Sequence, residues 1–290
     1  MATSPSAGRR AQPDLGWPVR GVGRARRGAS LVAGPLRCLT WAGWQPRRRR
    51  AKLAVMPLHI GIVACSAEGA ALCYRTICAE GPLLLGPLAH PEISMHTPSL
   101  DRYVGCIDSG DWAGAAELML ASAGTLARAG ADFLICPDNT IHQALSLVAP
   151  RSPLPWLSIA DVVANVAAAR GLRRLGILGT RWLIASEVYP GALAARGLDY
   201  LRPAEAECDE IHRIIMTELT TGVVTPVAVA YHQSVIDGLR LAGCDGVILG
   251  CTEIPLIIND GNSSLPTLDS TRLLARAALH HAVRDPVEHP

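Results

Sequence analysis

The sequence predicts an α/β protein made of two similar halves, each a parallel β-sheet covered by helices. Two observations support this fold class. Apolar runs of strand length alternate with segments whose apolar residues recur at helical spacing, and the same order of strands occurs twice along the chain. Strands that alternate with helices indicate a parallel sheet, because parallel neighbours need a long crossover between them.

In the first half the alternation begins just after Met56. Its strands are short, uninterrupted apolar runs, which is typical of strands buried on both faces. Asp111 near the start and Gly130 at the end of the longest helical segment are residues expected at a helix N-terminus and C-terminus. The predicted order is strand 58–65, helix 68–80, helix 110–130, strand 131–137, helix 140–148, strand 154–159 and helix 160–171.

The second half repeats the strands of the first. The matching pairs are IGIVAC (60–65) and LGILGT (175–180), ADFLICPDNTI (131–141) and CDGVILGCTEI (244–254), and LPWLS (154–158) and LPTLD (265–269). The spacing agrees as well, since Gly61 precedes Asp138 by 77 positions and Gly176 precedes Cys251 by 75. Three matches in order with near-equal gaps indicate an internal duplication.

Residues 1–55 differ from the rest of the chain, and we predict a disordered basic leader there. They hold twelve Lys/Arg and one acid, with many Gly and Pro and no clean hydrophobic period. A transit-type leader and a misassigned start both stay open, and the good first strand right after Met56 favours Met56 as the true start. The body divides into a first α/β domain, 56–158 plus 269–290, and a second, 159–268.

The composition of the body excludes several classes of function. Outside the leader, fifteen Lys/Arg face twenty-four Asp/Glu, so the body is acidic and a poor binder of nucleic acid. Lys52 is the only lysine, which excludes lysine Schiff-base chemistry from the body. The cysteines show no CxxC pair or zinc spacing, and no apolar run approaches the ~20 residues of a membrane span. We predict a cytoplasmic protein with a small-molecule partner, no metal and no membrane partner.

Asp138 and Cys251 follow equivalent strands of the two halves. Ligands of open parallel sheets bind beyond the carboxyl ends of the strands, so two halves that face each other would bring both side chains to one cleft. Two proton-handling groups on opposite faces of a carbon can remove its proton on one side and supply one from the other. The simpler alternatives are an ordinary buried thiol at Cys251 and a helix N-cap at Asp138.

Short polar residues stand at the helix starts that follow these two positions, namely Asn139, Thr140 and Thr252. Helix starts also carry unpaired backbone N–H groups. Together these donors suit a carboxylate and the enolate-like charge that develops on it when a neighbouring carbon loses its proton.

The motifs DNTIH (138–142) and GCTEI (250–254) resemble the signatures C-N-T-x-H and G-C-T-E of the aspartate/glutamate racemase superfamily. The resemblance runs from about Ile60 to about Thr271. It implies an enzyme without a cofactor, built from two similar Rossmann-like domains with parallel four-stranded sheets. These domains would be related by a pseudo-twofold axis, with the active site in the cleft between them. Members of this superfamily often pair, so a homodimer is also implied.

By this resemblance Cys251 would be one catalytic thiol. The substrate-binding residues it implies are Asn139, Thr140 and Thr252 for the α-carboxylate, Ser66 and Thr180 lining the cleft, and Arg102 as a clamp for a side-chain carboxylate. In such enzymes a second cation precedes the glycine near Gly222. This chain has Thr220 and Thr221 there, which puts recognition of an acidic side chain in doubt.

Asp138 is the larger departure, because most racemases of the superfamily carry cysteine at this position. A free thiol titrates at about 8.5 and a free carboxyl at about 3.9, a difference in proton affinity of roughly 6 kcal/mol. Burial in a closed cleft raises the pKa of a carboxyl and narrows this gap. Even so, the two directions of proton transfer are expected to be unequal.

We predict an isomerase that racemises or epimerises a small amino acid, with Cys251 and Asp138 exchanging its α-proton. Two alternatives stay open within the superfamily, a decarboxylase with one catalytic cysteine and another isomerase. In a different class, a two-lobed α/β fold with a cleft also serves non-catalytic small-molecule binding proteins.

Overall fold

The structure, a computed structural model, describes residues 56–283. The predicted leader, residues 1–55, and residues 284–290 lie outside the described residues. The strands are β1 Ile60–Val63, β2 Ile93–His96, β3 Phe133–Ile135, β4 Trp156–Leu157, β5 Arg174–Leu178, β6 Asp199–Leu201, β7 Gly246–Leu249 and β8 Thr267–Asp269. The α-helices are α1 Ala67–Leu85, α2 Leu100–Ser109, α3 Trp112–Arg128, α4 Leu145–Val148, α5 Ile159–Ala169, α6 Arg181–Ile184, α7 Val188–Ala194, α8 Glu205–Thr217, α9 Pro226–Leu241 and α10 Ser270–Val283.

The strands form two parallel sheets with the same internal order. The first sheet runs β2-β1-β3-β4 and the second β6-β5-β7-β8, and every neighbouring pair is parallel. In each half the first strand of the sequence therefore lies beside the third, so the segments that follow them meet at one edge. The predicted α/β fold with two parallel four-stranded sheets is confirmed.

The edge strands β2 and β6 were not located from the sequence. The four residues of β2, ISMH, are mostly half-buried, and β6 begins with an exposed residue. Inner strands are recognised as continuous apolar runs because both of their faces are buried. The edge strands β2 and β6 lack that signal, whereas the other two edge strands, β4 and β8, were located through the repeated LPWLS and LPTLD segments.

The last helix, α10, returns to the first sheet. Its residues Leu274 and Leu279 are buried with Ile60 and Ile62 of β1 in one cluster. This packing supports the placement of the C-terminal segment with the first half. The residue boundaries of the two domains stay a prediction.

The two halves approach closely at the start of α1. A Cβ added to Gly69 would lie 2.5 Å from Cγ2 of Thr252 and 2.6 Å from the carbonyl oxygen of Pro137. Thr252 follows strand β7 of the second sheet, and Pro137 follows strand β3 of the first. A side chain at position 69 would clash with both, so glycine is needed where α1 contacts the two halves. Within residues 56–283, no helix combines the length and apolar character required to cross a bilayer.

Candidate active site

One cleft brings together the ends of inner strands from both sheets. Its volume is about 590 Å³, including the open solvent at its mouth. Asp138, beyond β3, and Cys251, beyond β7, both line it. The topology explains this meeting, because each residue stands just past the carboxyl end of an inner strand.

Asp138 lies beside a thiol that the sequence analysis did not assign. Cys65 follows β1, which is paired with β3, and its thiol lies near enough to the Asp138 carboxyl for each group to shift the pKa of the other. Oδ1 of Asp138 accepts a hydrogen bond from Ile141 N at 3.0 Å. Asp138 thus caps the following turn, as the simpler alternative predicted, and still faces the cleft.

The pKa of the Asp138 carboxyl is raised above its ordinary value, chiefly because the surrounding protein excludes water, while the hydrogen bond from Ile141 N partly opposes this effect. Burial raises the pKa of the Cys65 thiol strongly, and the charge of Asp138 raises it further. Cys65 therefore remains protonated beside Asp138.

His142 holds the backbone of Asp138 in place. Its Nε2 accepts from Ile159 N at 3.2 Å, so the proton sits on Nδ1, which donates to the carbonyl oxygen of Asp138 at 2.6 Å. Burial lowers the pKa of His142 to about 4. The ring is thus neutral and does not line the cleft, as expected for a structural role.

On the opposite side, Cys251 has a carboxyl partner. Its thiol donates to Oε2 of Glu253 at 2.9 Å, and both side chains are buried. Burial raises the pKa of Cys251 well above that of an ordinary thiol, and the charge of Glu253 raises it further. Glu253 also lines the cleft. Glu253 stands within the GCTEI motif, but the motif alone did not indicate a role for it.

Hydroxyl pairs connect the two halves across the cleft. Ser66 Oγ lies 3.4 Å from Thr252 Oγ1, and Thr140 Oγ1 lies 3.2 Å from Thr180 Oγ1. In each pair, a residue after the first strand of one half meets a residue after the third strand of the other. This exchange is what a pseudo-twofold relation between the halves produces. All four residues line the cleft.

The chain matches the sequence model of a known protein family. The model of the Asp/Glu/hydantoin racemases matches residues 62–278, which is more than half of the chain. The chain belongs to this family. The resemblance drawn from the two motifs is therefore confirmed. The racemase activity of the family's members supports the predicted isomerase class. It favours neither the decarboxylase nor the non-catalytic binding protein.

Two curated relatives of this racemase-family chain are glutamate racemases. The one from Beutenbergia cavernae is 34% identical over 99 residues, which cover 34% of this chain and 32% of the relative. The one from Mycobacterium leprae is 29% identical over 176 residues, which cover 59% of this chain and 54% of the relative. The chain thus spans about a third and about half of the length of these relatives.

Two solved structures share the fold over nearly all of their length. A candidate Asp/Glu racemase from Yersinia pestis has a TM-score of 0.73 and 30% identity, covering 78% of this chain and 100% of that one. An aspartate racemase homologue from Pyrococcus horikoshii has a TM-score of 0.69 and 27% identity, and the match covers 78% of this chain and 99% of that one.

Two predicted binding residues of this racemase-family site have positions that the motifs did not indicate. Asn139 lines the cleft, but its Oδ1 accepts from the Tyr189 hydroxyl at 2.6 Å and its Nδ2 donates to Ser270 Oγ at 3.0 Å. Ser270 in turn donates to the Leu249 carbonyl at 2.8 Å. The amide of Asn139 is therefore engaged with the protein.

Arg102 lies on the exposed face of α2 and is not among the residues that line the cleft. The side of α2 that faces the cleft carries Leu100, Val104 and Ile107. Arg102 as a clamp for a substrate carboxylate thus gains no support from the geometry.

Proposed function

We propose that this protein racemises or epimerises a small amino acid by moving its α-proton between Asp138 and Cys251, without a cofactor. The observation that carries the proposal is the shared cleft. One carboxyl and one thiol, each beyond an inner strand of a similarly ordered sheet, line the same cavity from the two halves. Membership of the Asp/Glu/hydantoin racemase family supports this chemistry.

In the resting site the raised pKa of Cys251 keeps a proton on sulfur, and Asp138 is the available base. The Asp138 carboxylate takes the α-proton, and the electron pair of the broken C–H bond remains on the carbon and its carboxylate. Cys251 then gives its proton to the opposite face and becomes a thiolate. The reverse reaction begins with this thiolate, and Asp138 returns the proton it took. A raised carboxyl pKa makes Asp138 a stronger base.

The negative charge that forms on the substrate requires nearby donors. The hydroxyls of Thr140 and Thr252 are buried against the cleft, and each already pairs with a hydroxyl that can act as donor or acceptor. Such a pair can reorient its protons toward a carboxylate, and donors fixed before the reaction stabilise developing charge without reorganisation.

Deuterium exchange tests the proposal. When the purified protein is incubated in D₂O with single L- or D-amino acids, the substrate should take up deuterium at Cα, and Cys251→Ala and Asp138→Ala should each slow racemisation about 10³-fold. Absence of α-deuterium from every common amino acid would contradict it. Loss of carbon dioxide from a malonate-type acid would instead identify a decarboxylase, and ligand binding without turnover a binding protein.

The cellular setting also belongs to the proposal. Every cysteine in the described part of the chain is a free thiol, which supports a reducing cytoplasm. The homodimer implied by the family resemblance stays a prediction, which light scattering on the purified protein checks.

A further inference from the structure

The wall of the cleft between α2 and α8 is apolar. Side chains from both helices and from α6 form it, and they are Leu100, Val104, Ile107, Trp182, Ile215 and Met216. Ile107 and Ile215 are buried, while Leu100 and Met216 are exposed at the rim. A side chain bound against this wall would remove apolar surface from water on both partners, at roughly 25 cal/mol per Å².

The charged side chains that line the cleft are both acids, Asp138 and Glu253. Among its described lining residues there is no Lys, Arg or His. The neighbouring Arg181 is exposed and lies over the Trp182 ring, with its guanidinium carbon 5.5 Å from the ring centre. Arg102 faces solvent.

An amino acid brings its own charges to this cleft. Its α-ammonium suits the two carboxyls, and its α-carboxylate suits the hydroxyls of Thr140 and Thr252. A second carboxylate, as in aspartate or glutamate, would find apolar carbon and like charge without a cation. Placing an unpaired charge in such surroundings is costly.

We infer that the substrate side chain is apolar, so that the cleft accepts amino acids of the leucine, methionine or phenylalanine type and rejects aspartate and glutamate. This inference rests on the proposed racemase function and names its substrate class. It differs from what the names of the glutamate racemase relatives would suggest for this chain.

The exchange assay in D₂O tests the substrate class with both enantiomers of leucine, methionine, phenylalanine, aspartate and glutamate. We expect kcat/KM for the best apolar amino acid to exceed that for either acidic one at least tenfold. Faster exchange of aspartate or glutamate overturns the inference while leaving the racemase function intact. Absence of exchange with all five overturns the inference, and absence with every common amino acid overturns the racemase function as well.

A matched pair of variants tests the missing cation. Thr220 lines the cleft, whereas Thr221, its neighbour on the same short turn, does not. Both are exposed, and both hydroxyls bond to backbone carbonyls. Thr220→Arg should raise kcat/KM for aspartate or glutamate relative to leucine at least tenfold, and Thr221→Arg should leave the ratio unchanged. An unchanged ratio in a folded Thr220→Arg protein, or an equal rise in both variants, contradicts the charge argument.

Discussion

The thiol of Cys251 donates a hydrogen bond to the carboxylate of Glu253, with 2.9 Å between Sγ and Oε2. The negative charge of Glu253 favours the protonated thiol and so raises the pKa of Cys251, in addition to the effect of burial. Glu253 thereby keeps Cys251 ready as a proton donor. Its effect on the proton transfer is exerted through Cys251, and its charge can be removed with little change in size.

Glu253→Gln should lower the pKa of Cys251, because the amide keeps the shape of the side chain and loses the charge. Burial remains, so the pKa should stay above that of a free thiol. The measurement is the pH dependence of alkylation by iodoacetamide, with Cys251→Ser run alongside to subtract the other cysteines. An unchanged or higher midpoint in Glu253→Gln would show that its charge does not act on the thiol.

The pH profile of the reaction should be bell-shaped. Exchange requires one proton shared between Asp138 and Cys251, so the doubly protonated and doubly deprotonated sites are both inactive. The pKa of each group is raised. On acidification, activity should therefore begin to fall at a pH above the pKa range of ordinary carboxyls. On the alkaline side, it should fall only at a pH above the pKa range of ordinary thiols.

Both enantiomers must give the same profile of kcat/KM, because two enantiomers have equal free energy in water. The predicted difference in proton affinity between Asp138 and Cys251 should therefore appear as different values of kcat, and of KM, for the two enantiomers. Circular dichroism of the substrate, followed from each enantiomer across the pH range, measures all four constants. An acid limb at or below about pH 4, the range of a free carboxyl, would argue against Asp138 as the base.

Substitution of Cys65 should be far milder than loss of Asp138. Asp138→Ala removes the base and should cost about 10³-fold in kcat, within the usual contribution of acid–base catalysis. Cys65→Ser places a hydroxyl, itself a hydrogen-bond donor, beside Asp138 and should cost about tenfold or less in kcat.

Cys73→Ser is the matched control, since Cys73 is a buried cysteine in the core of the first half and does not line the cleft. It should affect stability and leave kcat unchanged. If Cys65→Ser were inactive and Asp138→Asn active, the base on this face would be the Cys65 thiolate.

His142 should make the fold sensitive to acid. Its pKa in the folded protein is about 4, against 6.5 for the free side chain, because burial penalises the charged ring and only the attraction of Asp161 and the bond to Asp138 O oppose it. The stability due to the neutral ring is complete above pH 6.5 and is lost as the pH falls toward 4. The loss amounts to roughly 3 kcal/mol.

Urea denaturation from pH 8 to 4 measures this loss. His142→Asn removes the titrating ring, so its stability should vary less with pH than that of the wild type, even where it is lower throughout. His232 is also buried, with a lowered pKa, and accounts for part of the dependence that remains. Parallel curves for the two proteins would contradict the role given to His142.

The sequence was sufficient to place Asp138 and Cys251 in one cleft, because parallel strands direct their carboxyl ends to a common edge and the repeat showed which ends were equivalent. It could not show that Cys65 lies beside Asp138. That contact depends on the pairing of β1 with β3, which no local pattern records. Glu253, in contrast, stands two positions after Cys251, and a carboxyl so close to a candidate thiol was an available signal.

Arg102 illustrates a different limit. Its position along the chain matched a family pattern, but the direction of a side chain on a helix depends on which face is buried. Leu100, Val104 and Ile107 recur at helical spacing and face the cleft, while Arg102, two positions after Leu100, projects from another face. The apolar spacing of this segment could have indicated that orientation.

The bonds that run from the Tyr189 hydroxyl through Asn139 and Ser270 to the Leu249 carbonyl have a consequence for how a ligand arrives. They join the two halves inside the protein, and parting the halves there would leave buried polar groups unpaired, at about 1–3 kcal/mol for each. The rim formed by α2 and α8, by contrast, ends in the exposed side chains of Leu100 and Met216. Substrate and product should therefore enter and leave the cleft at this rim. A crosslink between α2 and α8 should slow turnover without altering Asp138 or Cys251.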